Sequence, residues 1–243
     1  MKLNDDLHML ALPIQRGDQR AYFNLSLILD PIHGPTLVDT GLPGQLDAIA
    51  TALADAGVRV ADLKRIILTH QDIDHVGSLH DLVQAGGARV LAHAVETPYI
   101  DGGEPARFAR PEALAQRPEL RAVAEGFQYT PVDEQLQDGA RLDLAGGVRV
   151  IATPGHTPGH MCLYHERTRT LIAGDALTSS DGQLMGPNEG ATLDMATASQ
   201  SVQKLAQLDV QAIICYHGGA VTEDASTQLR RVAQELAQKL SAA

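Results

Sequence analysis

The chain has 243 residues, a formal net charge of -11 and 44% hydrophobic residues, with no tryptophan and only 3% aromatics. That length fits one large α/β domain or two small ones, a single domain over residues 1–243 being the expectation, with a core of Leu, Val, Ile and Ala. The acidic balance argues against nucleic acid or an anionic membrane as a principal partner, because both select a basic footprint.

The opening stretch MKLNDDLHMLALPI has one Lys and two Asp before a short apolar run, unlike a secretory signal. No run approaches the length of a membrane span, so a cytoplasmic protein is the expectation. Apolar, β-branched runs then predict strands at 21–29, 36–39, 65–69, 88–92, 147–153, 170–174 and 211–215. Helical periodicity predicts helices at 44–57, 77–86, 192–208 and 221–240, the last with Thr222 as its cap. Strands and helices alternate irregularly, which points to mixed sheets covered by helices. Residues 97–131 differ in composition: helical pieces over 111–125 are broken by Pro and Gly, and Arg recurs. The segment reads as an insertion and as a lid over a site, with Tyr99, Phe108, Phe127 and its Arg facing substrate. TLVDTGL at 36–42 faintly echoes TLIAGDAL at 170–177, as two related halves would.

Chemistry concentrates after the strands. THQDIDHVGS carries His70, Asp72, Asp74 and His75; TPGHTPGH carries His156 and His160; AGDAL carries Asp175; CYHGG carries His217. Asp39 ends another strand, and His93 follows one more. Residues at the ends of strands on one sheet edge converge in space, a recurring place for active sites. Imidazoles and carboxylates packed this densely need a shared partner, and a metal is the natural one. A loop leaving a strand can aim His70 and Asp72 at one cation, while Asp74 and His75 open the next helix and reach a second. Cys162 and Cys215 sit in apolar, strand-like contexts and read as reduced core residues.

THQDIDHVGS, TPGHTPGH, AGDAL and CYHGG, in that order, resemble the metallo-β-lactamase superfamily, whose signature is His-x-His-x-Asp-His, a lone His, a bridging Asp and a final His. The resemblance spans residues 21 to 220. It implies an αββα sandwich of two mixed sheets with a dinuclear metal site at one edge. By position it implies His70, Asp72 and His156 on a first metal, Asp74, His75 and His217 on a second, and Asp175 bridging them. Asp72 departs from the family pattern, standing where the second His is expected. A carboxylate there makes the site harder, so manganese or iron competes better with zinc, which remains the first expectation of two divalent ions.

The implied activity is hydrolysis of a small ester, thioester or lactone by a hydroxide held between the metals, with Asp74 orienting or deprotonating it. The alternative is a phosphodiesterase acting on small nucleotides or other phosphodiesters. Asp39 is expected to brace a metal-binding imidazole or to form a turn, and His160 to support the site without ligating. His93 reads as an ordinary strand-end residue. The expected partner is a small-molecule substrate, and a homodimer is compatible with the sequence.

Overall fold

The computed structural model describes residues 1–16 and 19–241. Strands β1 (Leu7–Arg16), β2 (Gln19–Ile28), β3 (Thr36–Val38), β4 (Arg65–Leu68), β5 (Arg89–His93) and β6 (Glu134–Leu136) form one sheet in chain order. Its first three strands are antiparallel, and the pairs from β3 to β6 are parallel. The second sheet contains β7 (Arg141–Leu142), β8 (Val148–Ala152), β9 (Met161–His165), β10 (Thr170–Ile172), β13 (Ala212–Cys215) and β14 (Gly219–Val221), ordered β14-β13-β10-β9-β8-β7. A separate hairpin pairs β11 (Thr178–Ser180) with β12 (Gln183–Met185). The helices are α1 (Leu46–Asp55), α2 (Ile73–Val76), α3 (Leu79–Gly86), α4 (Thr97–Asp101), α5 (Pro111–Gln116), α6 (Arg121–Gly126), α7 (Met195–Leu205) and α8 (Ala225–Ser241).

Strand periodicity explains the layers. Successive side chains point to opposite faces, so a strand that is apolar throughout is buried on both. In β4, Ile67 faces the second sheet, while Ile66 and Leu68 face the helices. In β13, Ile214 faces inward, and Ile213 and Cys215 face out. The inner layer is therefore built from Leu7, Met9, Ile28, Val38 and Ile67 on one side and Val148, Val150, Met161, Leu163 and Ile172 on the other. Outside the first sheet lie Ile49 and Leu53 of α1 and Leu79 and Leu82 of α3. Outside the second lie Val202 and Leu205 of α7 and Leu229, Val232 and Leu236 of α8. This is the expected αββα sandwich.

Strands β1, β6, β7, β9, β11, β12 and β14 lie outside the predicted strand runs, and the last helix starts later than predicted. The N-terminal apolar run is a ten-residue edge strand, β1, and an edge position is where a strand tolerates Pro13. The last helix begins at Ala225 because Val221 pairs with Ile213 as part of β14, so Thr222 is not its cap. Instead the Asp224 carbonyl accepts from Gln228 N (2.9 Å). Residues 97–131 form α4, α5 and α6 joined by single 3₁₀ turns, and Phe108 is buried with Ile100 and Ala106 in the core outside the first sheet. Phe127 packs edge-on to it (centroids 5.0 Å apart), so these aromatics pack within the fold.

Candidate metal centre

Four connections converge at one edge of the sandwich. After β4 come Thr69, His70 and Asp72, and α2 follows with Asp74 and His75. The loop from β8 to β9 brings His156 and His160, the chain after β10 brings Asp175, and the chain after β13 brings His217. The His156 loop is shaped by α7: Gly155 has φ 134°, and a Cβ there would collide with the Ala198 backbone. Ser201 Oγ donates to the Pro154 carbonyl (2.7 Å), fixing the same loop from the helix side.

Among the described residues, two groups have the spacing of metal ligands. They are His70, His156 and Asp175, and Asp74, His75 and His217, each with ligating atoms within 4.8 Å of one another. Asp175 stands between the groups, 3.4 Å from His156 Nε2 and 3.3 Å from both His75 Nε2 and His217 Nε2. Asp74 Oδ2 lies 3.4 Å from His217 Nε2. Asp72 lies beside the first group, its Oδ2 3.2 Å from His156 Nε2 and 3.7 Å from His70 Nε2. Arg107 Nη1 reaches the same oxygen at 3.0 Å.

The imidazoles are aimed from behind. Asp39 Oδ2 lies 3.0 Å from His75 Nδ1. Asp39 Oδ1 also accepts from Thr69 N (2.8 Å), and the Thr69 hydroxyl lies 3.0 Å from His70 Nδ1. With both Nδ1 atoms occupied, His70 and His75 turn Nε2 into the site. His160 takes no place in either group. Its Nδ1 meets Thr153 Oγ1 (2.8 Å), and its Nε2 accepts the backbone N–H of Asp175 (3.0 Å), which seats that carboxylate. His93 stays outside, its Nδ1 accepting from Val95 N (3.3 Å). Cys162 and Cys215 are buried free thiols, both pushed up to about 12 by burial.

A cation fits this donor set. His70 Nε2, His75 Nε2 and Asp175 Oδ1 are buried and make no well-aligned hydrogen bond, the last two lying 3.3 Å apart, which is costly for polar atoms unless a ligand takes them. The charges are arranged accordingly. Burial opposes ionisation of Asp175, yet the His75 charge and a hydrogen bond from His217 hold it well below the carboxylate range. Burial likewise opposes a proton on His217, but Asp175 and Asp74 raise it to about 9. His75 is raised well above its ordinary value against burial, by Asp39, Asp175 and Asp74. Positive charge is thus favoured where the free nitrogens converge, and a divalent ion would displace those protons.

Sequence reasoning missed Thr69, Glu96, Arg107 and Tyr216. Glu96 is fully buried; Oε2 accepts from Gln71 N (3.0 Å), and Oε1 accepts from Thr157 Oγ1 (2.8 Å) and Gly159 N (2.7 Å). It joins the His70 loop to the His156 loop. Tyr216 lays its ring on His75 (centroids 3.8 Å apart) and donates its hydroxyl to the Asp74 carbonyl. Thr69 adjoins a recognised ligand and was within reach of the motif. The other three contacts span 25 residues or more, and no local pattern marks them.

The sequence model of the metallo-beta-lactamase superfamily matches residues 24–217. The chain belongs to the metallo-β-lactamase superfamily. Among its relatives, the probable metallo-hydrolase YflN of Bacillus subtilis is 30% identical over 225 residues, covering 86% of this chain and 83% of that protein. A hydroxyacylglutathione hydrolase of Fuscovulum blasticum is 29% identical, covering 86% and 65%. A crystal structure of a metallo-beta-lactamase family protein from Thermus thermophilus superposes with a TM-score of 0.74 at 30% identity, covering 99% of this chain and 81% of that one. Proteins of this superfamily generally bind metal ions, and the two ligand groups fall inside the matched region. No described helix is long and apolar enough to cross a membrane.

Proposed function

We propose that the chain is a metal-dependent hydrolase that holds two divalent cations and cleaves a small ester, thioester or lactone. The observation that carries this is the convergence of orphaned, buried donors: His70 Nε2, His75 Nε2 and Asp175 Oδ1. His70, His156 and Asp175 would hold one ion, with Asp74, His75 and His217 holding the other. Imidazole-rich donors of this kind make zinc the first choice. Bound there, the cations supply a water acidic enough to ionise near neutral pH and positive charge opposite a substrate carbonyl oxygen.

The chain's own residues do the rest. Asp39 and Thr69 orient the imidazoles, and the His160 ring holds the Asp175 backbone. His70, His75 and His156 are almost fully buried, whereas the side chains of Asp72, Asp74 and His217 are 19%, 22% and 36% exposed. Substrate therefore approaches from the side of Asp74 and His217. There Asp74 is placed to orient a water or to accept its proton at a carboxylate oxygen. The relatives called hydroxyacylglutathione hydrolases support putting thioesters first among substrates.

The test is metal analysis of the purified chain, followed by a panel of thioesters, lactones, aryl esters and phosphodiesters with zinc-, manganese- and iron-loaded protein. Turnover of a carbonyl ester that chelation abolishes is the expected result. A chain that takes up no transition metal, or that turns over phosphodiesters alone, overturns it.

A further inference from the structure

Asp72 does not stand alone at the edge of the first ligand group. Its Oδ2 is 3.0 Å from Arg107 Nη1, while Arg107 Nη2 donates to the Ala191 carbonyl (2.6 Å). The Arg107 backbone N–H donates to Gln71 Oε1 (2.7 Å), so the residue is tied to the metal-site loop twice and to the 188–192 loop once. The next residue, Phe108, is buried in the core, which anchors the arginine from its own segment. The side chains of Arg107 and Asp72 are only 25% and 19% exposed; Asp72 Oδ2 also meets His156 Nε2 at 3.2 Å, and Arg107 is its permanently charged partner. Two of the guanidinium's donors are taken within the protein, by Asp72 and Ala191.

We propose that Arg107 sets the metal preference of the centre by holding Asp72 as half of a neutral pair beside His70 and His156. The inference rests on the proposed cation at His70, His156 and Asp175. A carboxylate already bonded to a guanidinium brings no net charge to the ion, and its electrons are drawn toward the arginine. Released, the same carboxylate is a full negative charge and a hard oxygen donor, which improves manganese binding relative to zinc. Arg107 is a positioning residue in this scheme. It acts through Asp72.

The experiment uses the full chain and measures zinc and manganese dissociation constants separately by chelator competition, with thermal melts to report folding. In Arg107→Gln the ratio of the manganese to the zinc dissociation constant should fall below the wild-type ratio. Arg107→Lys, which keeps the charge, should stay close to wild type, and Asp72→Asn should cancel the effect of Arg107→Gln in the double variant. The idea is overturned by an unchanged preference in Arg107→Gln, by an equal shift in Arg107→Lys, or by a shift that persists in the Asp72→Asn background. Should Arg107→Gln not fold, Arg107→Met, which keeps the apolar stem and removes the charge, decides by the same readout: a fall in the preference for zinc supports the proposal, and an unchanged preference defeats it. Wild-type protein that binds neither metal defeats the metal reading itself, which is a separate result.

Discussion

At Asp39 the backbone is left-handed (φ 64°), a conformation that Asn and Asp tolerate better than other side-chain-bearing residues. Asp39→Asn should therefore leave the fold intact while disturbing the chemistry. If the amide nitrogen faces His75 Nδ1, it favours the tautomer whose Nε2 carries the proton and has no lone pair for a ligand. If it faces the other way, it meets the Thr69 N–H donor. Zinc affinity should fall about 10–100-fold with a small change in melting temperature, measured by chelator competition and thermal melts. Wild-type affinity in that variant would show that the Tyr216 ring and the Thr69 hydroxyl suffice to aim His75. Asp175 is more central still, lying within 3.4 Å of three imidazoles, whereas Cys215 is a buried thiol held protonated. Turnover of Asp175→Ala should drop by at least about a hundredfold and that of Cys215→Ala by no more than a few-fold, both read from steady-state kinetics.

Between elements, two buried carboxylates join parts of the chain that no local pattern connects. Glu96 clamps the loop after β4 to the loop after β8 through three hydrogen bonds. Glu96→Gln replaces one acceptor oxygen with a donor facing an N–H, so stability should fall by about 1–3 kcal/mol. Metal affinity should fall with it, because the clamp sets the distance between His70 and His156. A variant that melts earlier but binds zinc normally would confine Glu96 to the fold. Asp30 does the equivalent work far from the site. Oδ1 accepts from Ile32 N (2.7 Å) and His33 N (2.9 Å), and Oδ2 accepts from Ala145 N (2.7 Å) beside the second sheet. Burial opposes its charge, but these bonds hold the carboxyl well below the ordinary value of 3.8. A depressed folded-state value stabilises above the unfolded one and is lost as pH falls through the folded one. Asp30→Asn should thus cost about 1–3 kcal/mol at neutral pH, and its deficit against wild type should shrink steadily below about pH 4. Denaturant melts across pH 2–7 measure this; a deficit independent of pH would mean the carboxylate charge is not what matters.

For the molecule as a whole, the site sits where both sheets end, so a bound cation would tie together connections from each half. Chelation should lower the melting temperature, and added zinc should restore it. At a hundredfold excess over the dissociation constant the gain is about 2.7 kcal/mol, or roughly 5–10 °C for a chain of this size. Scanning calorimetry with and without chelator decides it, and coincident melts would sink the two-cation reading.

Much of this was legible locally. Runs such as RIIL and AIIC are apolar at every position because both faces of their strands are covered, and that is visible without coordinates. His70, Asp72, Asp74 and His75 share one loop and the first turn of one helix, so their convergence needed only strand-then-turn geometry. The N-terminal strand was hidden because LHMLALPI lacks clean alternation and holds a Pro that only an edge position excuses. The pairing of Asp72 with Arg107, the Glu96 clamp and the Tyr216 stack on His75 were decided by tertiary structure alone. Ligand identity is carried by residue type and short spacing, which a sequence displays directly. The direction in which each ligand is held, and the charge beside it, depend on partners 25 to 142 residues away, brought near only when two sheets pack face to face.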